Sequence, residues 1–154
     1  MYSMAQRPDT RVLDEPLLGW FLKHTGVERP SRAEVLATME TDASVVFREQ
    51  LTGPCDRPVL FMKQMANHME GLDLSLLEGF QNVILTRHPA DVITSYIKKV
   101  ETPTLLDLAY EHQARILQYL QTHRLPVIVV DSVQLLQAPE ATLKALCSAL
   151  NVPW

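Results

Sequence analysis

Asn82-Val-Ile-Leu-Thr-Arg87-His-Pro89-Ala-Asp-Val-Ile-Thr-Ser95-Tyr96 changes character part-way along. Its first part is an apolar run that ends on a cation, the pattern of a strand buried on both faces of a parallel sheet. Pro89 then stands where the first residue of a helix needs no N–H donor, and the spacing predicts a helix over 89–99. Two more runs have the strand character: Val59-Leu-Phe-Met-Lys63, and Pro126-Val-Ile-Val-Val-Asp-Ser132. Near the N-terminus Arg11-Val-Leu-Asp-Glu-Pro16 reads as a short strand stopped by its proline.

Helical patterns fill the intervals. Leu17, Leu18, Phe21 and Leu22 recur at helical spacing, with Gly26 placed as a stop. Ser31-Arg-Ala-Glu34 has the form of a capping box, and helix is expected from there to about Leu51, with a break near Asp42. Leu105, Ala109, His112, Ile116 and Leu120 make one stripe of a helix over 103–122. Pro139 opens a last helix whose Leu143, Leu146, Cys147 and Leu150 share a face. Alternating strand and helix predict an α/β fold, a three-layer αβα arrangement with a mostly parallel sheet. The 154 residues suit one domain with a core of its own.

A formal net charge of −4 gives no general electrostatic case for nucleic acid or for an anionic membrane. The aliphatic runs are far too short to span a bilayer. Cys55 and Cys147 lack metal or redox spacing, so a reduced, cytoplasmic protein is the expectation. The opening MYSMAQRPDTR has no apolar core of a signal peptide. His24, His88 and His123 show no ligand spacing, and no metal site is expected.

In open α/β sheets, ligands sit beyond the carboxyl ends of the strands. The strands here end on Asp14 and Glu15, on Lys63, on Arg87, and on Asp131 with Ser132. Taken singly, each has a plain alternative: Lys63 as a snorkelling strand-end lysine, Asp14 and Glu15 as charges at the start of the next helix. The Arg87–Ser95 segment is more specific. A guanidinium at a strand end makes paired contacts to a phosphate. Ser95, about two turns into the following helix, brings a hydroxyl to the same anion. The plainer reading pairs Arg87 with Asp91 and bonds Ser95 to its own backbone.

Arg-x-Pro, followed by Ser eight residues after the Arg and then Tyr, resembles the segment with which sulfotransferases hold the 3′-phosphate of the sulfate donor PAPS. The phrases MYSMAQRPDTRVLDEPL, PVLFMKQMANHM, VILTRHPADVITSYIKKVETPTL and VIVVDSVQLLQAPEATLKALCSAL are similar to bacterial and plant sulfotransferase-like proteins of the P-loop superfamily. The resemblance implies that Arg87 and Ser95 bind the 3′-phosphate. It implies a nucleotide donor, PAPS, and a small-molecule acceptor. His68 is a shifted match to the catalytic histidine that relatives place two residues after a strand-end lysine, where this chain has Met65. Lys63 is the matching lysine, and Asp14 and Glu15 face the acceptor. No G-x-x-x-x-G-K-[ST] and no looser glycine-rich turn after a strand occurs in the chain. By the resemblance, a central strand and the loop that grips the 5′-phosphosulfate are therefore expected to be missing, which leaves sticky strand edges and self-association. Two rival readings stay open: a non-catalytic remnant or partner-binding fragment, and an ATP-dependent P-loop phosphotransferase.

Overall fold

Val59–Lys63 forms a strand, and its partner is the short strand near the N-terminus. A computed structural model describes residues 1–98, 100 and 102–154, and these divide into two compact units, 1–71 and 72–154. The architecture is mixed α/β with short parallel strands, as the alternation of apolar runs and helical stripes predicts.

In the first unit a short helix α1 (Tyr2–Ala5) precedes β1 (Thr10–Asp14). The crossover carries α2 (Leu18–Thr25), α3 (Arg32–Thr38) and α4 (Ala43–Val45) and returns as β2 (Val59–Lys63). The pairing is parallel, from Thr10 opposite Val59 to Asp14 opposite Lys63, and a parallel pair needs such a long connection. Leu17, Phe21, Leu22 and Val46 are at most 2% exposed and make the core of this unit. Gly26 ends α2 in the left-handed region, at φ 67°, with its N–H on Leu22 O; that conformation suits a residue without Cβ. Asp42 supplies the expected break, accepting from Ser44 N at 2.8 Å and Val45 N at 3.4 Å. α4 then widens into a π-helical turn, Val46–Leu51. There Thr52 N–H reaches back five residues to Phe47 O at 2.9 Å, and Thr52 Oγ1 donates to the same carbonyl at 2.8 Å.

The second unit repeats the scheme. β3 (Asn82–Thr86) leads into α5 (Pro89–Tyr96), α6 (Leu105–Leu108) and α7 (Tyr110–Thr122). β4 (Val127–Asp131) pairs with β3 in parallel, from Asn82 opposite Val127 to Thr86 opposite Asp131. Helices α8 (Ser132–Gln137) and α9 (Pro139–Ala149) follow. Ala109, Leu120, Val130 and Cys147 are buried. Among the described residues the strands make two two-stranded sheets.

Several local expectations change. Ser31 does stand before α3, but it makes no capping bond. Its ψ of 9° departs from the extended form that aims an N-cap side chain back at the helix. The capping box that forms is Thr104 with Asp107, each side chain accepting from the other's backbone N–H. The helix expected over 103–122 breaks at Ala109, which takes φ 59° and leaves Leu105 77% exposed. The strands are also less covered than their apolar runs suggest: Leu85 is 52% and Val129 53% exposed. A two-stranded sheet offers little to lie against on either face. Lys99, the last residue of the helix expected over 89–99, lies outside the described residues.

Candidate functional site

Parallel pairing sets the ends of β1 and β2 side by side, and this gathers the polar residues of the first unit. Asp14 lies opposite Lys63 in the ladder. Glu15 extends that ladder by one step, its N–H donating to Lys63 O at 2.8 Å. To do so Glu15 adopts φ 50°, in the left-handed region, directly before Pro16. A β-carbon makes that region costly by roughly 1–2 kcal/mol, and a following proline disfavours helical conformations further. The strained backbone aims the Glu15 carboxylate at the Lys63 ammonium, which donates to it. Asp14 Oδ1 lies 3.3 Å from the same ammonium. Partial burial disfavours the Lys63 cation, but the hydrogen bond and charge of Glu15, backed by Asp14, outweigh it and hold the pKa above the ordinary lysine value.

His68 sits in a 3-10 turn, Ala66–Met69, just after β2, and is only 5% exposed. Its ring stacks on Phe21 with centroids 4.7 Å apart. Burial depresses its pKa from 6.5 to about 4; the Glu15 charge pulls it up, and those of Lys63 and Arg29 push it down. His68 is therefore neutral at pH 7. Gln64 Nε2 lies 2.7 Å from His68 Nδ1, and Gln64 Oε1 accepts from Leu17 N at 3.3 Å. Asp14, Glu15, Lys63 and His68 thus form one charge-coupled cluster. Gln64 was not singled out in the sequence, though its position four residues before His68 was a usable signal.

In the second unit Arg87 follows β3 and is exposed. Its guanidinium makes no ion pair or hydrogen bond among the described residues, although Asp91 lies one turn ahead. Its backbone is held instead: Tyr110 Oη donates to Arg87 O at 2.7 Å, and Gln113 Nε2 donates to Leu85 O at 3.2 Å. Both donors belong to α7, and neither was foreseen. Burial, then the charge of Asp91, raise the Tyr110 pKa against the pull of the Arg87 cation. Ser95 is exposed on α5 and makes no side-chain hydrogen bond among the described residues. Its neighbour Thr94 does bond the helix, donating to Ala90 O at 2.7 Å. No hydrogen bond joins Arg87 to Ser95. Asp131 has a structural task, capping α8 by accepting from Val133 N at 2.8 Å. Among the described residues no group of three or more His, Cys, Asp or Glu could hold a metal ion, and no helix is long and apolar enough to cross a membrane.

The sulfotransferase domain family matches residues 1–154. The chain belongs to that family. This sulfotransferase domain is also similar to two proteins of Arabidopsis thaliana, branched-chain-amino-acid aminotransferase-like proteins 1 and 2. Each is 36% identical over 155 residues, covering 100% of this chain. The chain spans 28% of the length of these curated relatives. No solved structure matches it.

Proposed function

We propose that this sulfotransferase domain works with PAPS as donor and passes its sulfo group to a hydroxyl or amine of a small-molecule acceptor. The observation that carries the reading is the Arg87 guanidinium, exposed at a strand end and unpaired among the described residues while its backbone is tied down by Tyr110. An exposed cation on a fixed strand end suits a phosphate. Ser95, whose hydroxyl makes no hydrogen bond among the described residues where Thr94's does, supplies the second donor to the 3′-phosphate. Lys63 meets the oxygens of the sulfo group, His68 meets the acceptor, and Asp14 and Glu15 bind it. In the reaction the acceptor's oxygen or nitrogen bonds to sulfur as the bond from sulfur to the 5′-phosphate oxygen breaks. The acceptor's proton passes to a base, and 3′,5′-ADP leaves. The domain is proposed to act in the cytoplasm.

Calorimetry with 3′,5′-ADP and, separately, with ATP and Mg²⁺ tests this reading. Binding of 3′,5′-ADP alone supports it. Preference for ATP-Mg²⁺ would favour phosphoryl transfer, and binding of neither would favour a non-catalytic, partner-binding role.

A further inference from the structure

The Gln64 amide has two ends, and the structure commits both. Its oxygen accepts from Leu17 N–H at 3.3 Å. An N–H can only donate, so the oxygen must be the end that faces Leu17. The NH₂ is then the end that lies 2.7 Å from His68 Nδ1. An NH₂ only donates, so Nδ1 must present its lone pair there. A neutral imidazole with a bare Nδ1 carries its proton on Nε2. The ring cannot swing away, because it is 5% exposed and stacked on Phe21.

We propose that Gln64 is a positioning residue that locks His68 as the neutral Nε2–H tautomer, so that the ring offers a hydrogen-bond donor, and no lone pair, to an oxygen-bearing ligand at the Lys63 end of β2. Nε2 makes no hydrogen bond among the described residues, so that donor remains for a ligand. The charges acting on the ring come from three elements: Glu15 after β1, Lys63 at the end of β2, and Arg29 between α2 and α3. Two of the three are cations, and with burial they favour the neutral ring that the Gln64 contact requires. The Lys63 charge reaches the ring, and an N–H donor there suits an oxygen of the acceptor or of the sulfonate. The lone pair on Nδ1 is covered by Gln64, so removal of the acceptor's proton falls to another group. Glu15, which carries the carboxylate nearest in charge to His68, is the candidate for that group. The assignment of donor and base rests on the proposed sulfo transfer; the tautomer does not.

Two-bond ¹H–¹⁵N correlation spectra of the ¹⁵N-labelled chain read the tautomer directly. At pH 7 the wild type is expected to show protonated Nε2 and bare Nδ1 for His68. In Gln64→Glu a carboxylate replaces the NH₂, so the proton should move to Nδ1, and the ring's titration midpoint should rise by about 1–3 pH units. Gln64→Met keeps the length and removes the donor; the single tautomer should give way to a mixture. A wild-type ring protonated on Nδ1 would overturn the proposal without any variant. An unchanged tautomer in either folded variant would overturn it as well. Failure of 3′,5′-ADP to bind would sink the sulfotransferase reading while leaving the tautomer result standing.

Discussion

Arg87 and Ser95 are exposed and make no side-chain contacts that the fold depends on, so their removal separates binding from stability. Arg87→Ala is expected to weaken 3′,5′-ADP binding by about 2 kcal/mol, the low end for loss of a charged partner because the site is exposed. Ser95→Ala should cost about 1 kcal/mol, as for one neutral donor. Neither should move thermal stability by more than about 0.5 kcal/mol. Calorimetry and melting curves on the two variants check all three statements, and unchanged affinity in both would remove the phosphate assignment. His68 makes the opposite case, a group whose titration belongs to the fold. Its folded midpoint is about 4 against the ordinary 6.5. Between those values the unfolded chain holds the extra proton, so stability is complete above about pH 6.5 and falls as pH drops toward 4. The loss is on the order of 3 kcal/mol if the whole shift counts. Urea midpoints across that window test it: the wild type should lose stability there and His68→Phe should not. A flat wild-type profile would contradict the burial of the ring.

At the scale of elements, Ala109 is the joint between α6 and α7. It is 2% exposed and takes φ 59°, where its β-carbon is unwelcome. Ala109→Gly should therefore raise stability, by up to about 1 kcal/mol, provided the methyl's packing is worth less than the relieved strain. A lower melting temperature would show that the methyl contact dominates. The same joint shows what the sequence concealed. Leu105, Ala109, His112, Ile116 and Leu120 fit one helical stripe, and nothing in that periodicity marks a left-handed residue in its middle. The competing signal was Thr104 with Asp107, a capping pair whose α6 stops after four residues. Strands were legible, because short apolar runs that end on a charge, such as residues 59–62 before Lys63 and 127–130 before Asp131, have few other readings. The polar strand ends were legible for the same reason. Tyr110 and Gln113 were not, because their importance lies in which carbonyl the fold brings to them, and Gln64 showed only in its spacing to His68. Ser31 misled in the other direction: its spacing to Glu34 was right, and its backbone torsion was not.

For the molecule as a whole, each compact unit has, among the described residues, a sheet of two strands. A lone two-stranded sheet is marginal in water, and its outer backbone groups offer a template for further pairing. The 154 residues on their own are expected to unfold at low denaturant and to self-associate as concentration rises. Sedimentation over a concentration series checks this, and a monomer with a sharp, reversible thermal transition would refute it. The π-helical turn at Val46–Leu51 bears on how this fold absorbs changes in chain length. Such a turn is an α-helix carrying one residue too many. Excising exposed Gln50 would let the segment tighten into an α-helix with Phe47 and Leu51 brought to consecutive-turn spacing. Excising one residue from the regular turns of α7 would instead rotate everything after it by about 100°. The chain thus carries a slot where evolution could have inserted a residue, and could remove it again, without rewriting the register on either side.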